Sequence, residues 1–572
     1  MATKEKVKKQ KPLQFRPELL NAMKGYKPKF ILNDIFAGLM VALVALPLNM
    51  AMGVRQAEGS PYAIQIGLWA AIIGGILLAL FGGTRFSIGG PTAPFITITV
   101  ILLGTNSGYG LHGLFFAVVL GGVFLIIAGF LRAGRLLKYV SFPVMIGICL
   151  GIGIMLFFNL LSDVGFMLAP HTDLTRTLDN ITPFTARLVR TVTNFNNFSI
   201  SSFIIGAFVI LLVYFIPRIP KVGKKIPAMI TAIALGTVLS IVFTAIYNAT
   251  NISWIQPRTI YSVFGNPEPA WGEHLLRWNL VNFANPMLYF FAFAIAIVAA
   301  LEGMMSSQAV ENISGLKYSA DMEIIGHGVA NVGSGLLGGL PITAAMARTN
   351  LNYANRAKSN LAAIFQSLFL LLFYVVLMQF MGIIPLAALA APLIKVAIAT
   401  SFFPIVKCLF KFTNRDTIQL VVTSLVTIIF GVHFGVIAGI AISFIVNSKS
   451  IKDKMTVEDI EFEKIPNIEN FCEHFECEEE LPIIKAFTIS GTVFFANTYK
   501  ITDKIKEAIA NGADEVVLDF SNATSIDATV AEKLAKYSKA LAKKGKRLAL
   551  FNTSKDIKRQ YEQAFRYIVM SW

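Results

Sequence analysis

Gly89-Gly90-Pro91-Thr92-Ala93 interrupts one hydrophobic segment of the chain, and Gly338-Gly339-Leu340-Pro341-Ile342-Thr343-Ala344 interrupts another far downstream. A glycine pair tolerates unwound backbone and a proline suits a first helical turn, so each stretch reads as a break followed by a new helix. Two short Gly/Pro-interrupted segments in corresponding halves of a membrane protein mark inverted repeats around a binding site near the bilayer midplane. The helix N-termini after Pro91 and Pro341 would aim free N–H groups and positive dipole ends at one ligand, which is therefore expected to be an anion.

The surrounding composition agrees with a membrane setting. The chain has 572 residues, 55% of them hydrophobic and only 15% charged, with a mean hydropathy of +0.63. That lies outside the range of soluble globular proteins. Apolar runs near the ~20 residues needed to span are 35–54, 64–83, 111–131, 139–161, 199–217, 227–247 and 286–305, then 322–340, 360–382, 383–403 and a double-length run over 417–447 folded at Gly431–Gly435. With the two broken segments this gives about fourteen spans. The net charge of +16 raises nucleic acid as a partner, but its distribution argues for a membrane. Lys4, Lys6, Lys8, Lys9, Lys11 and Arg16 form an N-terminal arm over residues 1–30, and Arg132, Arg135, Lys138, Arg218, Lys221, Lys224, Lys225, Arg356 and Lys358 follow spans four, six and ten. All fall on one side if the N-terminus is cytoplasmic, as the positive-inside rule requires. The arm has no short apolar region of a cleavable signal, so the first span reads as an anchor. Cys149 and Cys408 read as small buried residues, and Cys472 and Cys477, around Glu473 and His474, do not match a zinc spacing. No metal or cofactor is expected.

Past Asn447 the composition turns polar. Residues 448–480 read as a linker, and 481–572 as a small soluble domain. Strands are expected at 483–489 and 493–495 around a Ser490-Gly491 turn, at 515–519 and at 547–551, with helices at 497–510, 528–544 and 554–565. That alternation predicts one α/β sheet covered by helices, too small for a large enzyme domain.

The run from Gly82 through Ser87 and Gly89-Gly90-Pro91-Thr92-Ala93-Pro94-Phe95, together with Gly338 through Ala344, Ala345-Met346-Ala347-Arg348-Thr349-Asn350, resembles the sulfate permease (SulP, solute carrier 26) family. Asp519-Phe520-Ser521 and Ser525-Ile526-Asp527-Ala528-Thr529 look like the STAS domain those proteins carry. The resemblance implies fourteen spans in a 7+7 inverted repeat, with core and gate domains like those of nucleobase permeases, moving in an elevator-like cycle. It also implies homodimers and anion substrates such as sulfate, bicarbonate, chloride, oxalate or C4-dicarboxylates. Two departures stand out. Many relatives have serine where this chain has Gly89, which would remove a hydroxyl near the site. Ala528 stands where related anti-sigma-factor antagonists are phosphorylated, so a structural, partner-binding STAS domain is expected, with Thr529 still available.

Candidate site residues follow from the breaks. Thr92, Thr343 and the backbone around Gly90, Pro91, Ala93, Ala344 and Ala345 would donate to the anion, since broken-helix N-termini need partners. Gln56 and Asn49 are candidate polar liners and Phe95 an apolar wall. Arg348, about two turns past the second break, would either touch the anion or set the potential of the site. Glu302 reads as the carboxylate well inside an apolar span, where a charge is costly unless paired or facing a wet cavity. It is the candidate carrier of a coupled proton, with sodium the alternative, because relatives of both kinds have an acid in this region. His112 and His327 read as satisfied structural histidines. Gly333-Ser334-Gly335 lacks the Lys-Ser/Thr of a phosphate loop and reads as close helix packing. The function expected is secondary anion transport, with sulfate or a C4-dicarboxylate by proton symport first and bicarbonate or exchange next. A receptor or scaffold signalling through the STAS domain to a cytosolic partner is the remoter alternative. No constellation for an enzyme stands out.

Overall fold

The computed structural model describes residues 16–571 apart from 58–59, 104–109, 135–141, 162–163, 166–187, 192, 194–197, 220–227, 253–254, 266–274, 410–413, 453–454, 462–482, 494–497, 527–529, 531–533, 535–536, 539–540, 543–544 and 552–568. The basic groups Arg135, Lys138, Lys221, Lys224 and Lys225, the Cys472/Cys477 pair, Ala528, Thr529 and the helix expected at 554–565 lie outside the described residues, as does most of the N-terminal arm.

Long apolar stretches without backbone partners in lipid must become helices, and they do. The membrane helices in chain order are α1 (Phe30–Gln56), α2 (Ala63–Phe81), α3 (Ile96–Leu103), α4 (Gly110–Phe130), α5 (Phe142–Leu161), α6 (Ile200–Phe215) and α7 (Ala228–Thr250), then α8 (Pro286–Ser314), α9 (Ala320–Leu336), α10 (Met346–Ala354), α11 (Leu361–Met381), α12 (Leu386–Leu409), α13 (Asn414–Phe430) and α14 (Val432–Lys452). The third and tenth are the short ones created by the breaks. The fold in the last apolar run is sharper than the sequence suggests, because Gly431 alone, at φ 93°, separates α13 from α14.

Packing divides these helices into two sets. α1–α4 and α8–α11 pack among themselves, and α5–α7 pack with α12–α14. Contacts recur in pairs seven helices apart. α4 lies on α9 as α11 lies on α2, α4 on α8 as α11 on α1, α5 on α13 as α12 on α6, and α5 on α14 as α12 on α7. A repeat of seven helices, an odd number, enters the bilayer from opposite sides in its two copies, so the pairing is that of an inverted repeat. Large apolar residues such as Leu211, Phe215, Val238, Leu372 and Phe380 are exposed on the outer faces, where lipid would cover them.

The breaks themselves are strands, which the sequence did not announce. β1 (Gly89–Gly90) and β2 (Thr343–Ala344) pair antiparallel, Gly89 opposite Ala344 and Gly90 opposite Thr343. Unwound backbone at membrane depth must find partners, and each break supplies them to the other. The second helix consequently starts later than Pro341 predicts: residues 341–345 are extended and α10 begins at Met346.

After α14 comes a sheet in the order β3 (Thr456–Ile460), β4 (Ile484–Val493), β5 (Glu515–Asp519), β7 (Arg547–Phe551), β8 (Val569–Ser571), with β6 (Ala523–Ile526) also on β4. Helix α15 (Thr498–Ala510) buries Ile501 and Ile505 on the sheet with Val516, Leu518 and Leu550. β3 comes from the stretch read as linker. The turn expected at Ser490-Gly491 is a bulge within one strand. Gly491, at φ 84°, shifts the register so that β4 leaves β5 and pairs with β6.

Candidate functional site

The short strands carry α3 and α10 toward each other with their N-termini at the crossing. A short link, extended Thr92 then a single 3-10 turn Ala93–Phe95, leads into α3. N–H groups of a first helical turn have no partner within their own helix, so the first turn of α10 presents donors at the crossing and both helices bring positive dipole ends there. On the α3 side Pro94 has no N–H, and those of Phe95 and Ile96 go to the Thr92 and Ala93 carbonyls. α8 passes alongside, touching β2, α3, α9 and α10, and α5 approaches the 3-10 turn from the other helix set.

Most of the residues expected at the site are gathered here. Thr92 donates its hydroxyl hydrogen to Glu302 Oε2 at 2.6 Å, and Glu302, on α8, is half-buried. Gln56, at the end of α1, donates Nε2 to the Thr92 carbonyl at 2.7 Å. That bond fixes the amide orientation and leaves Gln56 Oε1 buried without a partner. Arg348 Nη1 donates to Asn49 Oδ1 at 2.6 Å and Nη2 to the Pro91 carbonyl at 3.1 Å. The guanidinium thereby clamps α1 and the first break from α10, with Asn49 Nδ2 left as a second buried atom without a partner. Arg348 sits in the first turn of α10, nearer the break than the sequence suggests, and is 3% exposed. It lies flat on Gly90, where an added Cβ would stand 2.5 Å from Nη1. Arg348 and Glu302 each bind other partners.

Other expected donors are already committed. Thr343 gives its hydroxyl hydrogen to the Ala299 carbonyl of α8 at 3.0 Å. Ala344 N–H goes to His327 Nε2 at 3.0 Å and Ala345 N–H to the Ile88 carbonyl at 3.2 Å. Ala93 and Ala345 are half-buried. Phe95 is wholly buried, in an apolar cluster with Ile98, Phe115 and Val298, so it backs the turn. The serine-to-glycine departure at Gly89 does not face the crossing. A side chain there would meet Leu78, Gly74 and Gly75 of α2 at 3.1 to 3.3 Å.

Behind the strands is a polar layer that the sequence reading left structural or missed. His327 Nε2 accepts from Ala344 and Nδ1 faces the Glu323 carbonyl at 2.8 Å. An acceptor Nε2 and a donor Nδ1 make it a neutral imidazole that holds β2. Asn331 closes a reciprocal pair with Ile342, its Oδ1 accepting from Ile342 N–H and its Nδ2 donating to Ile342 O, both at 2.9 Å. Glu302 is also not the sole carboxylate buried among these helices. Glu323, wholly buried, accepts from Gly83 N–H at 2.8 Å, Ser87 at 2.7 Å and Ser307 at 3.0 Å. Asp34, wholly buried at the start of α1, accepts from Tyr26, Ser359 and the Lys358 N–H. Both are saturated anchors joining segments distant in sequence. Glu323→Ala is expected to orphan two hydroxyls and a peptide N–H, at about 1–3 kcal/mol for each group left unpaired. A thermal-unfolding midpoint within a degree of the native protein's would overturn that assignment.

Among the described residues no group of three or more His, Cys, Asp or Glu side chains could hold a metal. His112 lies away from the crossing, its Nδ1 accepting the Arg277 N–H at 3.3 Å. Lys395 of α12 is satisfied by the Val213 carbonyl at 2.9 Å and the Tyr214 ring at 4.8 Å.

The sequence profile of the sulfate permease family matches residues 31–423, and that of the STAS domain matches residues 478–565. YvdB of Bacillus subtilis (strain 168), assigned to sulfate transport, is 28% identical over 500 residues, 86% of each chain. Bicarbonate transporter BicA of Synechocystis sp. (strain ATCC 27184 / PCC 6803 / Kazusa) is 25% identical over 553 residues, 94% of this chain and 91% of BicA. The structure of the murine anion transporter Slc26a9 in its inward-facing state superposes with a TM-score of 0.65 at 17% identity, over 98% of this chain and 92% of that one, a likeness of fold.

Proposed function

The chain is a member of the sulfate permease family, multi-pass membrane anion transporters and not enzymes, and from that premise we propose that it carries sulfate or a C4-dicarboxylate by proton symport. The observation that carries the reading is the β1–β2 crossing, which sets two half-helix N-termini and Arg348 beside a half-buried carboxylate, Glu302. Gly90, Pro91, Thr92, Ala93, Thr343, Ala344, Ala345 and Gln56 form or back the anion cradle. With Glu302 ionised, its charge offsets that of Arg348 and an anion is held weakly. With Glu302 protonated the cradle is net positive and the anion binds, so proton and anion load together.

Alternating access follows from the two helix sets. α1–α4 with α8–α11 carry the breaks, Glu302 and Arg348 as one body, and sliding that body against α5–α7 and α12–α14 would move the loaded site across the bilayer in an elevator-type step. We place the chain in the cell's inner (plasma) membrane as a homodimer, with the basic N-terminal arm and the STAS domain cytoplasmic, the latter open to a soluble partner. Similarity to BicA supports a second reading, bicarbonate carried with sodium or a proton. Uptake of labelled sulfate, succinate and bicarbonate into proteoliposomes, each under an inward proton or sodium gradient, tests both. Proton-driven accumulation of sulfate or succinate is expected. Accumulation of bicarbonate alone would favour the second reading, and binding without flux under every gradient would overturn transport.

A further inference from the structure

We infer that Thr92 is the residue that transmits protonation of Glu302 to the anion cradle, an inference that rests on the proton-symport reading above. A threonine hydroxyl has one hydrogen, and an ionised carboxylate is acceptor-only. At 2.6 Å that hydrogen is therefore committed to Glu302 Oε2. Thr92 stands immediately before the 3-10 turn that opens α3, the position where a threonine oxygen ordinarily accepts from the N–H groups of its own helix. Here its side chain makes no such cap bond. The backbone at this point is held from the other side, by Gln56 on the Thr92 carbonyl at 2.7 Å and by Arg348 on the Pro91 carbonyl at 3.1 Å. The hydroxyl is thus the rotatable part of an otherwise fixed cradle.

Protonated Glu302 becomes a donor. Its O–H then points at Thr92 Oγ1, and the hydrogen of Thr92 turns from Oε2 toward the anion at the mouth of α3. One proton enters, no covalent bond of Thr92 breaks, and the cradle gains both a unit of positive charge and one donor. Deprotonation reverses each change. Among the described residues, Arg348 from α10 and Cys149 from α5 are the other titratable groups that act electrostatically on Glu302. His327 from α9 stands behind β2 with Nε2 occupied. The hydrogen bond to the carboxylate comes from Thr92.

The test measures the KM for labelled sulfate, with succinate and bicarbonate in parallel, at acid and alkaline outer pH in proteoliposomes of the wild type, Thr92→Val, Thr92→Ser, Glu302→Gln and the Thr92→Val/Glu302→Gln double variant. The ratio of alkaline to acid KM is expected to shrink about tenfold in Thr92→Val, the loss of a charge-assisted hydrogen bond, and to be retained in Thr92→Ser. The double variant is expected to match Glu302→Gln. A wild-type ratio in Thr92→Val beside a lost ratio in Glu302→Gln would overturn the role of Thr92 and leave proton coupling standing. A wild-type ratio in both would overturn the coupling reading itself. Should Thr92→Val give no flux, equilibrium binding of sulfate to the purified protein across the same pH range decides between the outcomes. A flattened profile supports the inference and a wild-type profile overturns it.

Discussion

Glu302→Gln is expected to abolish proton-driven accumulation while leaving anion exchange intact. The amide has the shape and neutrality of the protonated acid, and its NH2 group can donate to Thr92 Oγ1, now 2.6 Å from Oε2. The variant is locked in the loaded-proton form. A one-unit inward pH gradient is worth about 1.4 kcal/mol per proton, roughly a tenfold accumulation at equilibrium. The wild type should approach that ratio for one proton per turnover, and Glu302→Gln should stop near unity. The sign of the pH effect follows. Wild-type affinity for the anion falls as the outer pH rises through the titration of Glu302, whereas the variant holds the high-affinity value throughout. Counterflow, in which labelled anion outside exchanges with unlabelled anion inside, separates this from a dead protein. Retained accumulation in the variant, with a pH profile like the wild type's, would remove Glu302 from the coupling step.

The same site shows what a sequence can and cannot carry. Glycine, proline and apolar periodicity are local signals, so the spans and both breaks were legible, as were the strands at 515–519 and 547–551. The proposal of an anion cradle rests on those breaks, because helix breaks in hydrocarbon need a ligand or a partner. The pairing of β1 with β2 was not legible. Gly89 and Ala344 become neighbours only when two half-chains interlock, and that pairing is what delays α10 to Met346 and moves Arg348 into its first turn. The burial of Glu323 was not legible for the same reason. In the sequence it is an acid at the edge of the apolar run 322–340. Its partners Gly83, Ser87 and Ser307 are supplied by the loop after α2 and by α8. The bulge at Gly491 is a milder case. Glycine announces a change of direction, but whether the strand ends or shifts register depends on β6 being there to receive it.

Arg348→Ala is expected to lower kcat/KM for sulfate about a hundredfold, equivalent to ~3 kcal/mol. Two effects add. The Pro91 carbonyl and Asn49 Oδ1 lose their donors in a buried place, and the cradle loses the cation that attracts the anion. Arg348→Lys keeps the charge, but a single ammonium lacks the planar fork that reaches Asn49 and Pro91 together, so about a tenfold loss is expected. Gly90→Ala should act in the same direction as the lysine variant without touching the charge, since its Cβ would stand 2.5 Å from Nη1 and displace the guanidinium. Comparing substrates divides geometry from potential. A cation acting through space stabilises a dianion about twice as much as a monoanion at the same point. The electrostatic part of the loss in Arg348→Ala should therefore be about twice as large for sulfate as for bicarbonate, with the lost donors adding equally to both, while Gly90→Ala, which keeps the charge near the site, should show a smaller difference between the two anions. Equal losses for both anions in Arg348→Ala, with a lowered unfolding midpoint, would reduce Arg348 to a clamp between α1, α10 and the first break.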